Sequence, residues 1–211
     1  MRMAELSERS GVAVPTIKFY LREQLLAAGE RTSPNQSTYS ESHVDRLRLV
    51  RALLDVGGLT VSAARDVLAA IDNTDMPLDW AFGIAQQALP AVAPEEDDAD
   101  AAHFIDELIT GRGWRIDPRN PGRATAARVL ARYDTLGLGH LRDTAGEYLR
   151  AAEVVAAADL AAVAASPDRA TQVETVVVGT VLGDAFFAGL RRIAQEQRSH
   201  ELHNPTDTEC E

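Results

Sequence analysis

Apolar residues recur at helical spacing along most of the chain, and the interruptions between them divide it into short helices followed by longer ones. Met3 and Leu6 share one side of a segment over 3–10, charges occupy the other, and Gly11 stops it. Val14, Ile17, Tyr20 and Leu21 mark a second helix over about 14–24, with Pro15 in the first turn where its missing N–H costs nothing. Joined by Ser10-Gly11-Val12-Ala13, the two predict a helix-turn-helix held together by Leu6, Val12, Ile17 and Leu21. From Gly29 to Tyr39 the helical period is lost, and Ser33-Pro34-Asn35 supplies turn chemistry between Thr-rich, extended flanks. That predicts a small β-hairpin, a wing. Ser40 then caps a third helix that carries Val44, Leu47, Val50 and Leu53 and ends at Gly57-Gly58, and Thr60 caps a fourth over 61–71.

Beyond Asp72 the pattern is helical throughout, with candidate helices over 78–89, 100–110, 123–136, 141–165 and 169–198. Pro90, Pro94 and the run Glu95-Glu96-Asp97-Asp98 predict a solvated linker after the first of these. The last helix is apolar over most of its circumference from Val173 to Ile193, which makes it central to the core or to a subunit contact. Gly179 and Gly183 on one of its faces suit a close helix crossing. The expected fold class is mainly α: an N-terminal winged helix-turn-helix with a β-hairpin wing, then an all-α C-terminal domain. The expected divisions are 1–72 for the winged unit, 73–99 for the connecting helix and acidic linker, 100–200 for the helical domain and 201–211 for a disordered tail.

Charge sharpens this division. The 211 residues carry a formal net charge of -11, but residues 1–72 hold nine basic and nine acidic side chains, so the whole deficit falls in the second part. An acidic chain argues against nucleic acid, whose binding rests on neutralising phosphates. A balanced first part removes that objection locally. Lys18, Arg22 and Arg31 bring positive charge to the second helix and the wing, while Thr16, Tyr20, Thr32, Gln36 and Tyr39 add neutral donors for phosphates or base edges. The lone cysteine, Cys210, excludes an intramolecular disulfide and, being in the polar tail, a thiolate cluster or a pocketed nucleophile. With no secretion signal and no apolar run of roughly 18 residues, a cytoplasmic protein with no membrane partner is expected.

The run Met3-Ala4-Glu5-Leu6-Ser7-Glu8-Arg9-Ser10-Gly11-Val12, then Pro15-Thr16-Ile17-Lys18-Phe19-Tyr20-Leu21-Arg22-Glu23, Leu25-Leu26, the wing ending at Tyr39-Ser40 and Val44-Asp45-Arg46-Leu47 resembles the DNA-binding domain of MerR-family transcription regulators over residues 3–72. The resemblance implies a homodimer on a pseudo-palindromic site in double-stranded promoter DNA, with RNA polymerase as a further partner. It implies DNA contacts from Thr16, Lys18, Phe19, Tyr20 and Arg22 on the recognition helix, from Arg31, Asn35, Gln36 and Tyr39 on the wing, and from Arg46 and Arg48 in the third helix. Three departures matter. Lys18-Phe19-Tyr20-Leu21 replaces the family's basic-aromatic-aromatic-acid run, Pro90 and Pro94 cut short the helix through which many relatives pair, and the cysteines of the metal-sensing members are missing.

For the acidic part the expectation is effector binding or oligomerisation, with Trp114, Tyr133, Tyr148 and Phe186 as candidate walls of a small-molecule pocket. At helical spacing such aromatics serve equally well as core. His200-Glu201-Leu202-His203 lacks the rigid further ligands of a metal site, and His103 with Asp106 and Glu107 reads as one mixed-charge helix surface. No metal, cofactor or catalytic residue is expected. An architectural or recombination accessory protein is the alternative reading, and an enzyme the weakest.

Overall fold

The computed structural model describes residues 1–33, 36–73, 75–90 and 99–203. α1 (Met3–Ser10) and α2 (Val14–Arg22) meet across Leu6, Val12 and Ile17, all buried. The turn between them needs Gly11, whose φ is 69°, and Ser7 locks it by donating its hydroxyl to the Val12 carbonyl at 2.7 Å. α2 stops at Arg22 rather than near residue 24, because Gln24 turns to φ 61° and the chain folds back so that Leu25 N–H reaches the Tyr20 carbonyl. The inner stripe of α2 is Ile17 and Tyr20; Leu21 is only half-buried.

β1 (Glu30–Ser33) and β2 (Gln36–Thr38) pair antiparallel, Glu30 opposite Thr38 and Ser33 opposite Gln36, with one irregularity in register between Arg31 and Ser33. The wing is anchored to the start of the chain: the Met1 ammonium donates to the Tyr39 carbonyl at 2.8 Å, and Tyr39 N–H returns to the Met1 carbonyl at 2.9 Å. α3 (Glu41–Arg51) begins at Ser40, whose N–H is received by His43 Nδ1, and buries Val44, Leu47 and Val50. It runs on into one π-helical turn (Ala52–Val56) before Gly57 and Gly58, and α4 (Val61–Asp72) starts where the Thr60 hydroxyl accepts Ala63 N–H.

α5 (Leu78–Ala88) lies along α4 and α9, with Ala81 and Ala85 fully buried. α6 (Ala99–Gly111) pairs with α7 (Pro121–Thr135) over Ala101, Ala127 and Leu130. α7 starts two residues ahead of expectation, with Asn120 Oδ1 accepting Gly122 N–H at the cap. The single helix expected over 141–165 is a 3₁₀ turn (Gly139–Thr144) followed by α8 (Ala145–Ala164); Thr144 donates its hydroxyl back to Leu141, and Arg142 is drawn to Asp134 of α7. α9 (Arg169–His203) outlasts its expected end at 198. Glu201 accepts from Gln197 and Arg198, and His203 Nδ1 meets the Ser199 carbonyl, so His200 to His203 form helix, not tail. The rest of the expected tail, 204–211, and most of the acidic linker lie outside the described residues.

One core serves the winged unit and the two helices laid on it. Val173, Val176, Val177 and Val181 of α9 pack into the same cluster as Leu6, Ile17, Leu47 and Leu68. Among the described residues α9 is long and apolar enough to cross a membrane, against the expectation that no segment would be. Four of its valines are nevertheless committed to this core.

Candidate nucleic-acid interface

α2 presents Lys18 and Arg22 one turn apart, both exposed, while Thr16 and Phe19 beside them are half-buried. The Arg22 guanidinium lies 5.9 Å from the centre of the Phe19 ring, which steadies the cation without neutralising it. Arg31 is exposed on β1. Gln36 on β2 uses its side-chain oxygen to accept from Arg2, a residue that sequence reasoning passed over because it stands ahead of the first periodic position. Asn35, at the tip of the wing, is outside the described residues.

The cations of the winged unit fall into two sets. Arg9 pairs with Glu41, Arg46 with Asp72, Arg48 with Asp45, Arg51 with Asp55 and Arg65 with Glu23. Arg2, Lys18, Arg22 and Arg31 have no carboxylate partner among the described residues. The unneutralised charge therefore sits on the N-terminus, α2 and the wing, as phosphate recognition requires.

Three residues expected to contact DNA are otherwise engaged in this geometry. Tyr20 is only 6% exposed: its ring closes the core under α2, and burial together with nearby Asp55 pushes its phenol pKa up. Tyr39 is equally enclosed, standing edge-on to His43 at 5.2 Å and closing over Gly29. Arg46 turns inward, donating Nε–H to the Leu25 carbonyl at 3.2 Å while its guanidinium holds Asp72. In each the side chain packs or bonds within the winged unit. Arg48 remains exposed, shared with Asp45.

The first 71 residues match the family model described as MerR HTH family regulatory protein. The mercuric resistance operon regulatory protein of Bacillus cereus is 31% identical over 74 residues, 35% of this chain and 55% of that protein. The nodulation protein NolA of Bradyrhizobium elkanii is 41% identical over 78 residues, 37% of this chain and 34% of that one. A crystal structure described as a candidate transcriptional regulator, SCO5550 of Streptomyces coelicolor A3(2), is 33% identical, with a TM-score of 0.69 over 96% of this chain and 98% of its own. The chain belongs to the MerR family. It spans about half or less of the curated relatives named here, and in both the similarity is confined to a stretch about the size of the winged unit.

In this MerR-family chain the helical part forms an open cleft of about 380 Å³ between α6, α7, α8 and α9, walled by Ile105, Leu108, Leu130, Tyr133, Tyr148 and Phe187. Tyr133 and Tyr148 are thus brought together as expected. Trp114 and Phe186 are not in the wall; the place expected for Phe186 is taken by its neighbour Phe187, while Phe186 faces outward and is 70% exposed. Asp106, read in sequence as part of a mixed-charge surface, is held by Arg123 of α7, which keeps its carboxyl below the usual carboxylate range.

Proposed function

We propose that the protein is a sequence-specific regulator of transcription, binding double-stranded promoter DNA as a homodimer at a pseudo-palindromic site. The reading is carried by one observation: the cations of the winged unit that lack a carboxylate partner, Arg2, Lys18, Arg22 and Arg31, are those on the N-terminus, α2 and the wing. In it, Lys18, Arg22 and Thr16 approach the major groove from α2, and Arg31 and Gln36 meet the flanking backbone from the wing. Phosphate contacts supply salt-dependent affinity, and each good base contact supplies roughly 1–3 kcal/mol of discrimination. The acidic helical part stands away from the duplex, and the cleft between Tyr133 and Tyr148 receives a small, largely apolar effector. The protein works in the cytoplasm, beside RNA polymerase at the promoter.

The test is a genome-wide pull-down of DNA with the wild-type protein and with Lys18→Ala plus Arg22→Ala. The wild type is expected to enrich a small set of promoter fragments that the double variant loses. Equal enrichment by both would overturn the assignment of α2 to the groove.

A further inference from the structure

α9 changes character half-way along. Up to Val181 its inner face is committed to the core, but beyond it the helix carries large apolar side chains into solvent: Phe186 is 70% exposed, Leu190 47% and Ile193 67%. These three continue a series begun by Gly179 and Gly183, with spacings of four, three, four and three, the heptad rhythm of a helix that faces another helix along one seam. Among the described residues no helix closes onto that seam: Gly179 and Gly183 open into a cleft of about 420 Å³ whose other walls are Phe82 of α5 and Ala152, Val155 and Leu160 of α8. A Cβ added at Gly179 or Gly183 would meet nothing within 4 Å, so the crossing for which these glycines are suited is not made within the chain.

We propose that the second copy of the chain fills this seam, its α9 lying antiparallel across ours. This rests on the proposed function only in taking two copies to act together. The seam complements itself: one half is small, Gly179 and Gly183, and the other large, Phe186, Leu190 and Ile193. A two-fold axis between the halves lays Phe186 and Leu190 of each copy over the glycines of the other, which is how facing positions fill a shared core. Thr180, Leu182, Gly189 and Ala194 flank the seam without charge; the carboxylates nearest it are Asp159 and Asp184, in the cleft beside the glycines, and Glu196 at its far end. Leu160 of α8, 54% exposed, borders the same cleft and extends the apolar surface, toward the roughly 800 Å² per partner of a stable interface. The helix that follows the winged unit cannot take this role, because α5 spends Ala81 and Ala85 on α4 and α9 of its own chain.

A lipid surface fits the same face less well. Arg191 and Arg192 interrupt the apolar half of α9, and the valines of its first half are already pinned under the winged unit, so the helix cannot offer lipid a continuous apolar length.

The test uses the full chain without DNA. By analytical ultracentrifugation at micromolar concentration the wild type is expected to sediment as a dimer. Phe186→Glu plus Leu190→Glu is expected to sediment as a monomer with an unchanged helical circular dichroism spectrum. Should that variant unfold, cross-linking decides: in a Cys210→Ser background, Phe186→Cys should link two copies through a short bismaleimide. Leu202→Cys should not, since antiparallel helices hold those positions about 50 Å apart by the helical rise. A monomeric wild type, a double variant that stays dimeric, or linkage through residue 202 as efficient as through 186 overturns the proposal. So does loss of the double variant, but not the wild type, from co-sedimentation with mixed phosphatidylcholine and phosphatidylglycerol vesicles, which would make the face a membrane contact. Lys18→Ala plus Arg22→Ala is expected to remain dimeric, so failure of the groove assignment and failure of the seam are separate results.

Discussion

Gly57 and Val181 approach so closely that a Cβ built on the glycine overlaps Val181 Cγ1 and comes within 2.8 Å of the Leu53 carbonyl oxygen. This is where α9 rests on the π-helical turn that ends α3, and it joins the winged unit to the longest helix of the rest of the chain.

Gly57 is helical, with φ -72°, so its constraint is space and not backbone strain. Alanine gains up to about 1 kcal/mol over glycine in helical backbone, whereas overpacking costs roughly 1–3 kcal/mol, and here overpacking should win. Gly57→Ala is expected to lower stability in urea unfolding, and Val181→Ala in the same chain to recover part of the loss. Gly58→Ala also costs stability, through its φ of 66° and not through contact, since nothing lies within 4 Å of an added Cβ. Val181→Ala should not relieve it, and a double-mutant cycle separates the two mechanisms.

Tyr20 tests whether the second helix has been given the right inner face. Because the ring is core, Tyr20→Ala is expected to cost about 3–5 kcal/mol in unfolding, as other large aromatic truncations do. Tyr20→Phe keeps the ring and is expected to leave affinity for a pulled-down DNA fragment within about twofold. A loss of a factor of 10 or more on removing only the hydroxyl, about 1.4 kcal/mol, would return Tyr20 to the DNA surface.

The division of the arginines predicts salt dependence. Alanine at Arg2, Lys18, Arg22 or Arg31 is expected to reduce the slope of log affinity against log salt by about 1 wherever the lost charge met a phosphate. Arg51→Ala, which removes a cation already engaged by Asp55, is expected to leave the slope unchanged. Fluorescence anisotropy on one enriched fragment, at several salt concentrations, measures all five variants.

Asp106 and Arg123 join α6 to α7, and the hydrogen bonds from Arg123 hold the Asp106 carboxyl below its ordinary value. A carboxyl depressed on folding adds stability above its unfolded pKa, about 3.9, and that contribution fades as pH falls through the folded value. The Asp106 side chain is 44% exposed and screened by solvent, so Asp106→Asn is expected to cost less than about 1 kcal/mol at pH 7. In urea titrations the difference from wild type should shrink as the pH falls below the unfolded value and vanish once the folded carboxyl is also protonated.

By itself the sequence determined the parts whose causes are local. Period, caps and breakers located α1 to α5, the wing and the start of α9, because Gly11, Pro15, Thr60 and the apolar stripes act on neighbours within one or two turns. It also assigned Lys18, Arg22 and Arg31 to the second helix and the wing, and the structure leaves all three exposed there. Tertiary structure decided the rest. Whether Tyr20 or Leu21 turns inward depends on what lies beneath the helix. Whether Arg46 is free for DNA depends on Asp72, 26 residues away, and whether Arg65 is free depends on Glu23, 42 away. That α9 completes the core at Val181 and then leaves Phe186 bare is likewise a matter of which surfaces meet. Apolar burial and ion pairing are satisfied by any partner that folding brings within reach, and the identity of that partner is not written in the residues on either side.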